Sequence, residues 1–423
     1  MTLAIRLATL LMAAGLSACA SAPPSGPSQP PPTAPLPRPS ASATSPDSAD
    51  LRLVPAAFSE LPGWLQADLK PALAAFQKQC EVWRRRPANA PLTGGRYGGT
   101  VSNWMPACSQ AAVLPPGDER RFFETWFQPA VVEGPGEVRL TGYFEPVISA
   151  RRFAEPGFTE PLLRPPADML TVDIAAFAEA QNSEALRSAP KTLAGRSDGS
   201  RVGPYLKRAD IRPEPGQIIA FAHPADVYNI QVQGSGRLRF EDGGEARAQF
   251  AGQNGHKWNS ALGELRRSGR VQNISWATFR AWLDANPHDA KSVLNSDPSY
   301  VFFQEETLAD PSIGPRGAAG IPLTRLGSLA VDPSFHPYGA LIYLDGTHGG
   351  DTFQRLLVAQ DTGGAIRRGP RRGDVFFGPG ADAGAMAERM NAPARWWTLL
   401  PKSGELDNRV ASVRDGPGDA KGR

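Results

Sequence analysis

Apolar residues recur at Leu69, Leu73, Phe76, Cys80 and Trp83, three or four positions apart with Pro71 near the start, and this period predicts an amphipathic helix. A second, short helix is predicted over E-R-R-F-F-E-T-W-F, residues 119–127. The pattern then turns to alternation. V-R-L-T-G-Y-F-E-P-V-I-S-A (138–150), Q-I-I-A-F-A (217–222) and V-Y-N-I-Q-V-Q-G-S-G-R-L-R-F (227–240) read as strands, the last closed by the turn residues E-D-G-G. Helical spacing returns at 258–268 and at 276–285, where Ser275 offers an N-cap and Pro287 a stop. From 323 the chain is strand-like again. A-L-I-Y-L, T-F-Q-R-L-L-V-A-Q, D-V-F-F-G and W-W-T-L-L are predicted strands, with one helix, A-D-A-G-A-M-A-E-R-M, before the last. No internal repeat is visible.

The flanks differ from this body. Residues 20–50 hold ten prolines and almost nothing that could enter a core, so they read as an extended spacer; 403–423 is a polar tail. Residues 1–19 carry one arginine and an apolar run from Leu7 to Leu16, too short to span a bilayer. That stretch ends Leu16-Ser17-Ala18-Cys19, which resembles a bacterial lipobox with Cys19 as the lipidated residue. Ala at position 20 points to the outer membrane, facing the periplasm. The 423 residues, 41% of them hydrophobic, suffice for two or three domains, and 45 basic against 42 acidic residues form no basic block that would select nucleic acid. In an oxidising compartment Cys80 and Cys108 form a possible disulfide. Neither they nor the five histidines have metal-site spacing, so no metal or other cofactor is expected.

Chemistry concentrates in V-A-Q-D-T-G-G-A-I-R-R-G-P-R-R-G-D-V-F-F-G, residues 358–378, where Asp361 and Asp374 sit at the ends of apolar runs. Three readings compete. An aspartic-protease turn needs a second D-[ST]-G, and the chain has none. Aspartates at strand ends also serve as turn residues that bond backbone N–H groups. Third, a glycosidic bond is cleaved by a carboxylic acid that keeps its proton until it reaches the leaving oxygen. Val375, Phe376 and Phe377 beside Asp374 would raise its pKa, and Arg371 and Arg372 would oppose that if they point inward.

A longer pattern surrounds these aspartates. S-L-A-V-D-P-S-F-H-P-Y-G-A-L-I-Y-L, L-L-V-A-Q-D-T-G-G-A-I and R-G-D-V-F-F-G-P-G-A-D-A-G resemble the three-aspartate domain of bacterial cell-wall enzymes, with Asp332, Asp361 and Asp374 as its namesakes. Upstream, L-T-G-Y-F-E-P, V-Q-G-S-G-R, A-G-Q-N-G-H, N-S-D-P-S-Y-V-F-F and G-P-R-G-A-A-G-I-P-L-T occur in the order seen in the membrane-bound lytic murein transglycosylase A family. The resemblance spans about 60–402. It implies a mainly β fold, a double-psi β-barrel from 51–165 and 300–402 with a smaller β domain inserted over 166–299 and a groove for a glycan strand. It also implies cleavage of the β-1,4 bond between N-acetylmuramic acid and N-acetylglucosamine, with the muramic C6 hydroxyl attacking C1 to leave a 1,6-anhydro ring. On this pattern Asp374 is the acid and then the base, Asp361 its neighbour, and Asp332 structural. Candidate sugar contacts are Tyr143, Phe144, Glu145, Gln233, Gly234, Ser235, Gly236, Gln253, Asn254, Thr362 and Gly363. Implied partners are peptidoglycan glycan strands, the outer-membrane lipid anchor and wall-synthesis or hydrolase complexes. A non-catalytic peptidoglycan-binding lipoprotein and a water-using glycoside hydrolase are the alternatives.

Overall fold

The computed structural model describes residues 51–402 except 94, 96 and 191; the signal, the spacer, Cys19 and the polar tail lie outside the described residues. β1 (Arg52–Pro55) is followed by α1 (Lys70–Trp83), α2 (Val101–Ala111) and α3 (Glu119–Trp126), then by β2 (Phe127–Glu133) and β3 (Arg139–Glu145). β4 (Val147–Ala150), β5 (Glu160–Leu163) and β6 (Met169–Asp173) lead through α4 (Ile174–Ala180) and α5 (Glu184–Arg187) to β7 (Thr192–Ser197), β8 (Val202–Pro204) and β9 (Ile218–Ala222). After α6 (Pro224–Gln233) come β10 (Ser235–Phe240), β11 (Glu245–Gln253), α7 (Ala261–Arg267), α8 (Trp276–Ala285), α9 (Pro287–Asn295) and β12 (Val301–Thr307). The chain continues with β13 (Ser328–Val331), β14 (Leu341–His348), β15 (Asp351–Asp361), β16 (Arg372–Pro379), α10 (Ala381–Glu388), β17 (Asn391–Ala392) and β18 (Ala394–Pro401).

Nine strands form one sheet in the order β1-β2-β18-β14-β15-β13-β16-β3-β17, so both ends of the described chain enter the same sheet. The intervening segment builds its own sheets, β12-β11-β10-β4, β5-β9 and β6-β7-β8. The architecture is therefore mainly β and in two parts, as expected. Most pairs in the large sheet are antiparallel, but β13 runs parallel to β15 and β16 parallel to β3. Parallel neighbours need long crossovers, and these cross-connections carry the C-terminal aspartates next to the N-terminal strand β3. One face of the sheet packs Leu341, Tyr343, Leu356 and Trp397 against α1, α2 and α3. The other gathers Leu140, Leu329, Ile342, Val375, Phe377 and Trp396 with α10. Cys80 of α1 and Cys108 of α2 are joined by a disulfide.

Two features differ from the sequence expectation. V-Y-N-I-Q-V-Q is the body of α6, not a strand: the His223 imidazole caps its start by accepting from Ala225 N, Pro224 occupies the first turn, and Gly234 ends it in the left-handed region at φ 85°. Alternating apolar and polar residues imitate a strand there, while the end signals define a helix. Pro287, expected as a stop, also opens α9, because a missing N–H costs nothing in a first turn.

Candidate functional site

β13 lies between β15 and β16, and Ala330 at its centre is paired with Asp361 on one side and with Asp374 on the other. Two strand spacings put the aspartate Cα atoms at most about 10 Å apart, with one small residue between them. The next strand out is β3, whose Thr141 is paired with Asp374 and whose Tyr143 is paired with Phe376. Period-2 geometry gives Thr141 and Tyr143 one face of β3. Gly142 between them faces the other way, where a Cβ would lie 2.6 Å from the Phe377 ring and 2.8 Å from Ala387 Cα; only glycine lets α10 pack this closely.

Both carboxylates are half-buried and held. Thr141 Oγ1 donates to Asp374 Oδ1 at 2.8 Å. Tyr143 Oη donates to Asp361 Oδ2 at 2.8 Å, and the backbone N–H of Ala318 donates to Oδ1 at 2.9 Å. The tyrosine ring packs on Phe376 at 5.2 Å between centroids. Gly317, beside Ala318, has no room for a side chain, since a Cβ would approach Gln360 O to 2.5 Å. Beneath the pair, Gln360 accepts from Ser328 Oγ and donates to Ala75 O of α1, fixing the end of β15.

Burial raises the pKa of Asp374 to about 6 against the opposing Thr141 hydrogen bond and the Arg372 guanidinium, with a smaller upward push from Asp361. Arg372 does act on Asp374, and desolvation outweighs it. Arg371 donates to Gly134 O. Burial also raises the pKa of Asp361, while donation from Ala318, Tyr143 and Thr362 opposes the shift. The geometry therefore offers one carboxyl whose pKa burial raises to about 6 beside another whose pKa burial also raises but hydrogen bonds from Ala318, Tyr143 and Thr362 oppose.

The remaining sequence-predicted residues separate into two groups. Tyr143, Thr362 and Gly363 lie at the aspartates, and Gln233 and Gly234, both half-buried, stand where α6 meets β3: Gln233 Oε1 accepts from Phe144 N at 3.2 Å. Several others are framework. Phe144 is buried in the core with α10. Glu145 is fully buried and its two oxygens take Arg237 Nε at 2.8 Å and Arg247 Nε at 2.6 Å, so it presents no carboxylate to a sugar. Ser235 and Gly236 are buried in β10, with Ile230 filling the space a Gly236 side chain would need. Asn254 is buried, donating to Leu206 O and Pro298 O and accepting from Tyr300 N; exposed Gln253 is its neighbour at the end of β11. Asp332 is buried, accepting from Ser334 N, Ser334 Oγ and Gly369 N. Sequence reasoning missed Thr141 and the Ala318 N–H. Thr141 shares the alternating face of Tyr143 and could have been found; a backbone donor leaves no sequence signal.

Comparison with known proteins bears on this arrangement. Residues 139–304 match the family model described as the MltA specific insert domain, and residues 327–400 match the 3D domain. The chain is similar to membrane-bound lytic murein transglycosylase A of Escherichia coli K12, 29% identical over 303 residues that cover 68% of this chain and 73% of that protein. Among solved structures, a membrane-bound lytic murein transglycosylase from Agrobacterium tumefaciens superposes with a TM-score of 0.70 at 28% identity, covering 86% of this chain and 99% of that one. A lytic transglycosylase of Burkholderia pseudomallei is 30% identical with a TM-score of 0.55, covering 84% and 98%.

Proposed function

The chain belongs to the membrane-bound lytic murein transglycosylase A family, and from that membership we propose that it is a peptidoglycan lytic transglycosylase in which Asp374 is the general acid and then the general base. The observation that carries the assignment to Asp374 is its pairing with Thr141 and its pKa near 6, against the two donors held by Asp361. Protonated Asp374 delivers its proton to the oxygen of the β-1,4 bond as that bond to muramic C1 breaks. The C6 hydroxyl of the same sugar then closes on C1, and the Asp374 carboxylate takes the hydroxyl proton. The acid is regenerated, no water is consumed, and one aspartate serves both steps. Asp361 faces the positive charge that develops at C1, and its own charge favours the protonated form of Asp374. Because the two groups interact, their titration belongs to the pair.

Peptidoglycan glycan strands are the partner this chemistry requires. The lipobox-like Leu16-Ser17-Ala18-Cys19 and the proline-rich spacer support an outer-membrane lipid anchor that presents the folded body to the wall from the periplasmic side. No helix among the described residues is long and apolar enough to cross a membrane.

The test is the mass of the products from purified peptidoglycan, with Asp374→Asn and Asp361→Asn alongside. Muropeptides lighter by one water than muramidase products, absent with Asp374→Asn, are expected. Hydrated products would replace the reading with a hydrolase, and wall binding without any product would replace it with a binding module. Abolition by Asp361→Asn with Asp374→Asn retaining activity would exchange the two roles.

A further inference from the structure

Between β12 and β13 the chain folds back as a small hairpin in which Leu323 N donates to Pro315 O at 2.8 Å and Gly317 N donates to Ile321 O at 3.0 Å. Its tip meets the end of β15 with two consecutive N–H groups. Ala318 N donates to Asp361 Oδ1 at 2.9 Å, and Ala319 N donates to Gln360 O at 3.0 Å. Its base is held from the second sheet system. Gln249 of β11 is buried, and its amide accepts from Arg316 N at 2.9 Å through Oε1 and donates to Arg316 O at 3.0 Å through Nε2, as a paired strand residue would. The approach to the hairpin is fixed by the same strands, since Arg237 of β10 and Arg247 of β11 donate to Pro311 O and Ile313 O. Arg316 is itself exposed, so water could satisfy its backbone groups. A buried amide committed to that residue, two positions before the donor to Asp361, does more than fill hydrogen bonds: it fixes where the tip lies.

Resting on the transglycosylase reading, we propose that Gln249 is a positioning residue for the reaction: it holds the hairpin so that the Ala318 N–H keeps the Asp361 carboxylate in place against the charge that develops at muramic C1. Gln249 touches neither aspartate, and it acts through Arg316 and Ala318. The Ala318 N–H favours the ionised form of Asp361, against burial. The other titratable groups at the pair are Tyr143 of β3, which feels both aspartates, Tyr338, which feels Asp361, and Arg372, which acts on Asp374. None of them lies on the hairpin, so loosening the tip leaves them where they are. Asp361 then keeps its proton to higher pH. The acid limb of kcat/KM, set by ionisation of Asp361, moves up, while the alkaline limb, set by Asp374 once Asp361 is ionised, stays.

The full-length protein in detergent is assayed for anhydro products from purified peptidoglycan between pH 4 and 8, as wild type, Gln249→Met, Ala318→Pro and the double variant, and amide hydrogen exchange of residues 316–320 is followed without substrate. Gln249→Met keeps the bulk of the side chain and deletes both bonds to Arg316. It is expected to lower kcat about tenfold with KM unchanged, less than the hundredfold that a full ångström of misplacement can cost, to raise the acid limb alone, and to speed exchange at 316–320. Ala318→Pro removes the donor itself and should raise the same limb, and the double variant should add little to either single change. Gln249→Asn, whose amide is one methylene short of Arg316, is the milder variant and should shift the limb in the same direction. An unchanged kcat in Gln249→Met, or a fall with both limbs unmoved, would overturn the proposal while anhydro products from wild type still upheld the transglycosylase. Unaltered exchange at 316–320 would overturn it without reference to any substrate. Absence of anhydro product from wild type would overturn that reading and this proposal with it.

Discussion

Burial drives the Asp374 carboxyl toward its protonated form, and the Thr141 hydroxyl is the strongest of the groups that resist. A hydrogen bond to a carboxylate is worth more than one to a neutral acid, so removing the donor must favour protonation further. Thr141→Val keeps the shape of the side chain and deletes the donor. On the proposed mechanism, wild-type kcat/KM is expected to require the acid form and to fall as pH rises through about 6, the pKa of Asp374. In Thr141→Val that alkaline limb is expected to move up by roughly half to one pH unit. The check is kcat/KM for anhydro-product release from pH 4.5 to 8; an unmoved limb would detach Thr141 from the proton-carrying group. At this scale the sequence singled out two aspartates at the ends of apolar runs, and the structure brings both to Ala330 from opposite sides. The sequence was misleading about Glu145 and Asn254. A carboxylate or amide in a recognisable motif reads equally well as a sugar contact or as a buried bracket, and only the position of Arg237, Arg247 and the Leu206 and Pro298 carbonyls distinguishes them.

Glu145 ends β3 where the chain leaves the large sheet, and its two partners sit on β10 and β11 of the second sheet system. Arg237 and Arg247 also bond Pro311 O and Ile313 O, so this buried carboxylate ties together three segments that are far apart in sequence. Removing its charge leaves two guanidiniums buried without an anion. Glu145→Gln is expected to cost about 3–5 kcal/mol, measured as a shift of the urea midpoint at unchanged pH. A loss below about 1 kcal/mol would mean that water reaches the pair and that the bracket is not closed. Element prediction from sequence succeeded where one periodicity ran unbroken, as in α1 and in the β14 to β18 strands. It failed at α6, where the alternating stretch of V-Y-N-I-Q-V-Q coincides with burial of Val227 and Ile230 in one cluster and of Tyr228 in another. A helix wedged between two cores has apolar residues on more than one face, and its alternation then carries no strand information. The caps, His223-Pro224 and Gly234, carried the correct signal.

Across the whole molecule, two buried groups titrate in opposite senses over the same pH range. Asp374 has a folded pKa of about 6 against 3.8 for the free side chain, so the stability it contributes is fully present below about pH 4 and is lost as pH rises through 6. His336 is fully buried, accepting from Tyr97 Oη through Nδ1 and donating to Pro370 O through Nε2, and burial lowers its pKa from 6.5 to about 4. The stability that its neutral ring contributes is present above about pH 6.5 and is lost as pH falls toward 4. On acidification from pH 7 to 4 the histidine therefore costs about 3 kcal/mol, while Asp374 returns about 2 kcal/mol after allowance for its partial exposure. Wild type should show a shallow acid slope from this pair. Asp374→Asn removes one side of the balance: the amide still accepts from Thr141, carries no desolvated charge, and should make the protein about 2 kcal/mol more stable than wild type at pH 7, with the gap closing by pH 4. Urea unfolding of both proteins at half-unit steps from pH 4 to 7.5 measures the gap, because carboxylates remote from the pair contribute equally to the two curves and only the coupled Asp361 changes with Asp374. Parallel curves would show that Asp374 is not protonated above its ordinary range in the free enzyme. A gap that opens between pH 4 and 6 would identify the acid of the proposed mechanism by its cost to the fold, without any substrate present.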